Sequence, residues 1–481
     1  MMTFTRKIIS LGFALLTTLS TAFSGPVALY MQRQQEQAQP LFAAKTIHQF
    51  QFTQRTDHHS PLTETFAQRY YIDETFSKAK DDPVFFYICG ESSCSKRALN
   101  GSIRTYAKKY HAKLVALEHR YYGESIPLES FSTQNLKYLT TEQALDDLAY
   151  FQRQLTKAQN WTGKWIAFGG SYPGSLSAYY RMKFPYLVAG SLASSAPVMA
   201  KEDFFEYDTH VTEVAGPQCA KHIRQVIDAV EATLNDQIKL NQMKTLFEAS
   251  AVHDTVDFLY LIADTGAAAI QYGMRDSFCA SLSSSPTPLE GYAQFAKDLY
   301  QSMGVTALEL TAQGAMSEET ADYKKIGMRQ WYYQSCTEYG YWQNANPDSS
   351  QSTRSSLINL AYHRQVCQRL FGMNEPANTA YLNETFYYPL MNELVSNILF
   401  TNGENDPWSL LSLAEKNGNA GNTKLDYYLI ERAAHCDDLR SPAGSDSKSL
   451  RTARKKMESL IGVWLNSQAA AGEPSFSPDV T

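Results

Sequence analysis

The segment Gly169-Gly170-Ser171-Tyr172-Pro173-Gly174 follows directly on the apolar run Trp165-Ile166-Ala167-Phe168. A strand that ends in a tight glycine-flanked turn and re-enters the chain as a helix forces a serine into a strained conformation. Its hydroxyl is then exposed at the carboxyl edge of a sheet. The chemistry would be attack on a carbonyl carbon, which needs a base for the hydroxyl proton and a carboxylate to orient that base. Of the ten histidines, only His435 lies beyond residue 363, just after the strand-like Tyr427–Ile430. Upstream, strand-like Asn397–Thr401 runs into Asn402-Gly403-Glu404-Asn405-Asp406-Pro407-Trp408. Asp406 stands deeper in that loop than its rival carboxylate, Glu404. Singly, each residue has an ordinary explanation: a glycine–serine turn, an aspartate before proline, a loop histidine. An oxyanion could be held by the Tyr172 N–H together with one from the loop after Phe85–Ile88, where Gly90 permits close backbone approach.

These residues need a sheet to carry them. Strand-like runs at Phe85–Ile88, Leu114–Glu118 and Trp165–Phe168 alternate with helical patterns. The clearest helix opens at Thr140 with Gln143 three residues on, a capping box, followed by Ala144, Leu145, Leu148, Phe151 and Leu155 on one face. Alternation of this kind predicts an α/β fold with a mostly parallel sheet covered on both sides. Nucleophile, acid and base then follow in the order Ser171, Asp406, His435, each after a strand, which is the α/β-hydrolase order. Beyond residue 200 the pattern turns helical, with Ile223, Val226, Ile227, Val230 and Leu234 as one stripe, until about residue 380. The reading is an α/β-hydrolase core over 46–200 and 386–467, interrupted by a mainly helical insertion over 201–385. A flexible N-terminus (25–45) and a disordered tail (468–481) flank it. The last helix covers roughly 447–466, and no internal repeat is present.

Hydrophobic residues at 44% against 19% charged exclude wholesale disorder for this 481-residue chain. A net charge of −6 offers no basic surplus for a nucleic-acid partner. Arg6 and Lys7 precede an uncharged stretch rich in Leu and Ile, and Ala22-Phe23-Ser24 provides a cleavage site, so residues 1–24 read as a signal peptide. Export follows, to a secreted, periplasmic or lysosome-like location, without stable membrane insertion once the signal is removed. An oxidising compartment permits disulfides among Cys89, Cys94, Cys219, Cys279, Cys336, Cys367 and Cys436. The odd count leaves at least one thiol outside an intrachain pair. With neither CxxC nor HExxH, no metal or other cofactor is expected. The oligomeric state, a homodimer included, stays open.

The chain resembles the serine exopeptidases comprising lysosomal Pro-Xaa carboxypeptidase, dipeptidyl peptidase II and thymus-specific serine protease, over roughly residues 48–467. The resemblance rests on Gln54–His58 with Gln68-Arg69-Tyr70, Glu118–Ser125, Leu136–Asp147, the elbow around Ser171, and Ser194–Val198. It continues through Trp331–Glu338, Asn402–Trp408 and Ala434–Arg440. It implies a triad of Ser171, Asp406 and His435 and a helical cap over the active site. It also implies disulfides Cys336–Cys367 and Cys219–Cys279, with Cys89–Cys94 closing a small loop and Cys436 left over. The chain departs from the family where Pro173 replaces the usual Gly or Ala. Cys89-Gly90-Glu91-Ser92 replaces a glycine-rich run. Tyr332 replaces the aspartate that holds a substrate amino terminus in dipeptidyl peptidase II. Tyr339-Gly340-Tyr341 is nearer the thymus-specific branch.

The expectation is an exported serine exopeptidase that trims short peptides beside proline, in the manner of a Pro-Xaa carboxypeptidase. Trp408, Trp331 and Gln334 are the candidates for the substrate pocket, although both tryptophans could equally be core. The alternatives are a dipeptidyl peptidase of the same family, a lipase or esterase, or a catalytically silent binding protein on the same fold.

Overall fold

A computed structural model describes residues 26–27, 30–31, 45–323, 326–414 and 421–467. The signal-peptide reading, most of the 25–45 segment and the 468–481 tail lie outside the described residues.

Ten strands are found among the described residues: β1 (His48–Arg55), β2 (Thr65–Asp73), β3 (Val84–Ile88), β4 (Lys113–Leu117), β5 (Trp165–Gly170), β6 (Gly190–Ser194), β7 (Lys201–Asp203), β8 (Gly340–Trp342), β9 (Ile398–Gly403) and β10 (Asp426–Ile430). Eight form one sheet in the order β1-β2-β4-β3-β5-β6-β9-β10. Strand β2 runs antiparallel to β1 and β4, and every other pairing in this sheet is parallel. Strands β4, β5, β6 and β9 are buried along their whole length, as parallel strands covered on both faces must be.

The period of two sorts their side chains into two layers. Val84, Phe86, Val115 and Ala167 face the layer holding helix α2 (Thr141–Gln159) and helix α3 (Tyr172–Lys183). Phe85, Leu114, Ile166 and Leu192 face helix α1 (Gly101–Tyr110) and the final helix α6 (Lys448–Asn466), where Met457, Ile461 and Trp464 pack. Helix α2 opens as its sequence indicates, with the Thr140 hydroxyl accepting the Gln143 N–H at 3.2 Å.

Between β6 and β9 the chain leaves the sheet for a region dominated by helices, among them α4 (Thr255–Gln271) and α5 (Leu360–Phe371). The short strands β7 and β8 pair parallel there, a feature the helical periodicity did not signal. Disulfides Cys219–Cys279 and Cys336–Cys367 tie this region together, and Cys89–Cys94 closes the loop after β3. Among the described residues no helix is long and apolar enough to cross a membrane. Strand order reverses between β3 and β5, so the crevice outside their carboxyl ends is where such a sheet accepts a ligand. This is the α/β-hydrolase fold.

Candidate active site

Ser171 occupies the crevice end of β5. Its φ of 64° and ψ of −131° are unfavourable for a side chain with a Cβ, and the turn is held by its neighbours. The Ser171 N–H donates to the Ser194 carbonyl (2.8 Å), and its own carbonyl accepts the Ser175 N–H (2.9 Å). A Cβ at Gly169 would lie 2.0 Å from the Pro173 carbonyl oxygen, so only glycine allows the helix to start so close to the strand. Pro173 sits in the first helical turn, where its missing N–H would have no partner.

Asp406 lies three residues past β9 and is fully buried. One carboxylate oxygen accepts the Trp408 N–H at 3.0 Å. The other is 2.5 Å from His435 Nδ1. The Asn405 N–H donates to the Ala433 carbonyl (3.0 Å), tying the two loops. The rival Glu404 instead accepts the Arg432 N–H. Burial pulls the His435 imidazolium down, but Asp406 and the Cys436 side chain outweigh it, and the pKa is raised above the ordinary 6.5.

The end of β6 gathers the pieces. The Ser194 carbonyl takes the Ser171 N–H and, at 3.6 Å, the Cys436 thiol. The Ser195 hydroxyl accepts the Cys436 N–H at 2.9 Å. Asp438 accepts the hydroxyls of Ser194 (2.5 Å) and Thr401 (2.7 Å), locking the histidine loop to β6 and β9. From the helical region, the Gln271 carbonyl accepts the His435 N–H (3.1 Å), and its Oε1 accepts Trp408 Nε1 (3.1 Å) and the Tyr207 hydroxyl (2.7 Å).

Gly90 lies against the same turn: a Cβ there would stand 2.3 Å from Pro173 Cγ. Tyr172, next to the serine, has a buried hydroxyl in a polar chain. His119 is held neutral by burial, its pKa lowered to about 4. Its Nδ1 donates to the Arg120 carbonyl (2.7 Å), so Nε2 accepts from the Tyr172 hydroxyl (2.8 Å). That hydroxyl accepts from Gln334 Nε2 (2.9 Å), and Gln334 Oε1 accepts from the Tyr122 hydroxyl (2.6 Å).

A model of the family "Serine carboxypeptidase S28" matches residues 54–457. The chain belongs to the S28 family. It is a serine-type peptidase. The chain is 35% identical to "Probable serine protease EDA2" of Arabidopsis thaliana over 450 residues, 88% of this chain and 89% of the relative. It is 30% identical to mouse "Thymus-specific serine protease", covering 83% and 84%. It is 29% identical to human "Lysosomal Pro-X carboxypeptidase", covering 85% and 87%.

In this S28 protein the three residues suggested for a pocket lie around Tyr172 and Tyr341. Trp331 lies 5.9 Å from the Tyr172 ring and stacks near Tyr341, whose ring is 5.2 Å from Trp408. The two tryptophans thus share one aromatic wall beside the nucleophile turn, and both are buried. Gln334 holds the Tyr172 hydroxyl. Sequence reasoning assigned no role to His119, Tyr122 or Gln271. The first two stand in a quoted motif, but only three-dimensional proximity reveals their bonds, and Gln271 lies in an unremarkable helical stretch. Among the described residues no group of three or more His, Cys, Asp or Glu is arranged to hold a metal ion.

Proposed function

We propose that the protein is an exported exopeptidase that trims short peptides beside proline, with Ser171, His435 and Asp406 as its triad. Ser171 Oγ attacks the scissile carbonyl while His435 Nε2 takes its proton. Asp406, at Nδ1, fixes the tautomer and stabilises the imidazolium. The N–H groups of Tyr172 and Gly90 hold the oxyanion. His435 then gives the proton to the leaving amine, and a water activated by the same imidazole releases the acyl-enzyme. The observation that carries this reading is the convergence at the end of β6, where one carbonyl receives hydrogen bonds from both the nucleophile and the residue after His435. The aromatic wall of Trp331 and Trp408 suits a proline ring, and a human relative bears the name Pro-X carboxypeptidase. Three disulfides fit an oxidising compartment.

The test is a defined peptide mixture, with and without proline near each end, incubated with the enzyme and analysed by mass spectrometry. Loss of one C-terminal residue after proline is expected. Release of N-terminal dipeptides would assign the dipeptidyl alternative, and hydrolysis of acyl esters alone would overturn the peptidase assignment for this site.

A further inference from the structure

Pro26 and Val27 are buried, Met31 is 4% exposed, and Tyr30 packs against the same core. The Val27 N–H donates to a carboxylate oxygen of Asp264 at 2.8 Å, in a buried bond that spans 237 residues of sequence.

Asp264 is fully buried on α4. Gln271 follows seven residues later, nearly two turns, so the two share a face about 10 Å apart. Gln271 is the residue that touches both His435 and Trp408. Tyr260 lies one turn before Asp264 on the same face, with the Arg354 guanidinium 5.7 Å from its ring. Among the described residues, Nε and Nη2 of that guanidinium are buried without a geometric hydrogen bond of their own, beyond its stacking on Tyr260 and Tyr207. One stripe of α4 therefore leads from the base, past a buried carboxylate, to a buried cation.

The opposite wall also reaches the site. Tyr30 packs against the core cluster that also holds Tyr323 and Ile326. Ile326 forms an antiparallel bridge with Ser92, two residues after Gly90. Val27 is thus bonded to the helix that ends at His435, and Tyr30 shares a core with the segment that joins the Gly90 loop.

We infer that this α4 stripe is the floor of a peptide-binding groove, and that Asp264 is the acceptor for a peptide N–H, taken here by the chain's own Val27. The occupant is the N-terminal segment bearing Pro26, Val27, Tyr30 and Met31, which competes with substrate for the groove. The inference rests on the peptidase reading of the site only for the identity of that substrate.

The experiment compares three proteins by the rate at which a fluorophosphonate labels Ser171: the chain from residue 25, the chain lacking residues 1–44, and Val27→Pro in the chain from residue 25. The proline variant removes the N–H that Asp264 accepts but also alters the buried Val27 side chain, so Val27→Ala, which keeps the N–H, is its control, and the pair decides the matter if the truncated chain fails to fold. Labelling is expected to quicken about tenfold in the truncated chain and in Val27→Pro, the scale of losing a hydrogen bond to a carboxylate. A synthetic peptide of residues 25–35 should bind the truncated chain in calorimetry and slow its labelling, and Asp264→Asn should weaken that binding. Unchanged labelling in folded Val27→Pro, or no binding of the peptide, would overturn the groove. Absence of labelling in every form would instead overturn the nucleophile, while peptide binding would still decide the groove.

Discussion

Ser171 keeps an unfavourable backbone because its N–H is bound to the end of β6 and its carbonyl to the first turn of α3. Ser171→Ala removes the proposed nucleophile without disturbing those backbone bonds. Turnover should fall by about five to six orders of magnitude with the melting temperature nearly unchanged. As the proposed base, His435 would act only when neutral, and its pKa is raised by the buried Asp406 carboxylate against the opposing effect of burial. As pH falls through that pKa the imidazolium accumulates and the base is lost. The acidic limb of kcat/KM should therefore lie above the ordinary 6.5, read from a pH–rate profile of the free enzyme. A rate flat down to pH 5 would contradict the pairing. The Tyr172 hydroxyl links His119 to Gln334, so Tyr172→Phe should cost about 1–3 kcal/mol of stability by leaving both groups unpaired in the interior. Thermal melts would show this loss while Ser171 still labels.

At the scale of elements, the strands that carry the site were legible because their residues obey simple rules. Trp165–Phe168 and Asn397–Thr401 are short apolar runs bounded by glycine turns, and they emerged as β5 and β9 within two residues of their expected limits. Thr140 and Gln143 marked the start of α2 because capping is a local interaction. The pair β1–β2 was not legible: His48–Arg55 is largely exposed and interleaves Gln with Phe, so neither burial nor charge marks it as strand. Likewise β7 and β8 are three residues each, too short for any periodicity. The proposed triad was suggested by its order along the chain, whereas the His119–Tyr172–Gln334 chain joins residues up to 215 apart and has no sequence signature. In the helical region, Cys219–Cys279 closes a loop of 60 residues. Replacing both with alanine should lower stability by about 4 kcal/mol from the freed unfolded chain, measured by denaturant titration under oxidising conditions. An unaltered midpoint would show that packing alone holds those helices.

For the whole molecule, the helical region supplies Gln271, Tyr207 and Trp331 to a site whose proposed nucleophile, acid and base all follow strands of the sheet. On the proposed function, catalysis depends on the two parts being docked. Ser171, His435, Asp406 and Trp408 are all inaccessible in this state. On the proposed function this enclosed site takes chain ends and excludes folded surfaces, so a folded protein should survive incubation that consumes peptides derived from it. The central claim is that Ser171, activated by His435, is the nucleophile of an S28 peptidase. Its most direct test is fluorophosphonate labelling followed by peptide mapping. One adduct on Ser171 in the folded enzyme, abolished in Ser171→Ala and strongly slowed in His435→Ala, is the expected result. A folded protein that acquires no adduct, or acquires it on another serine, would contradict it.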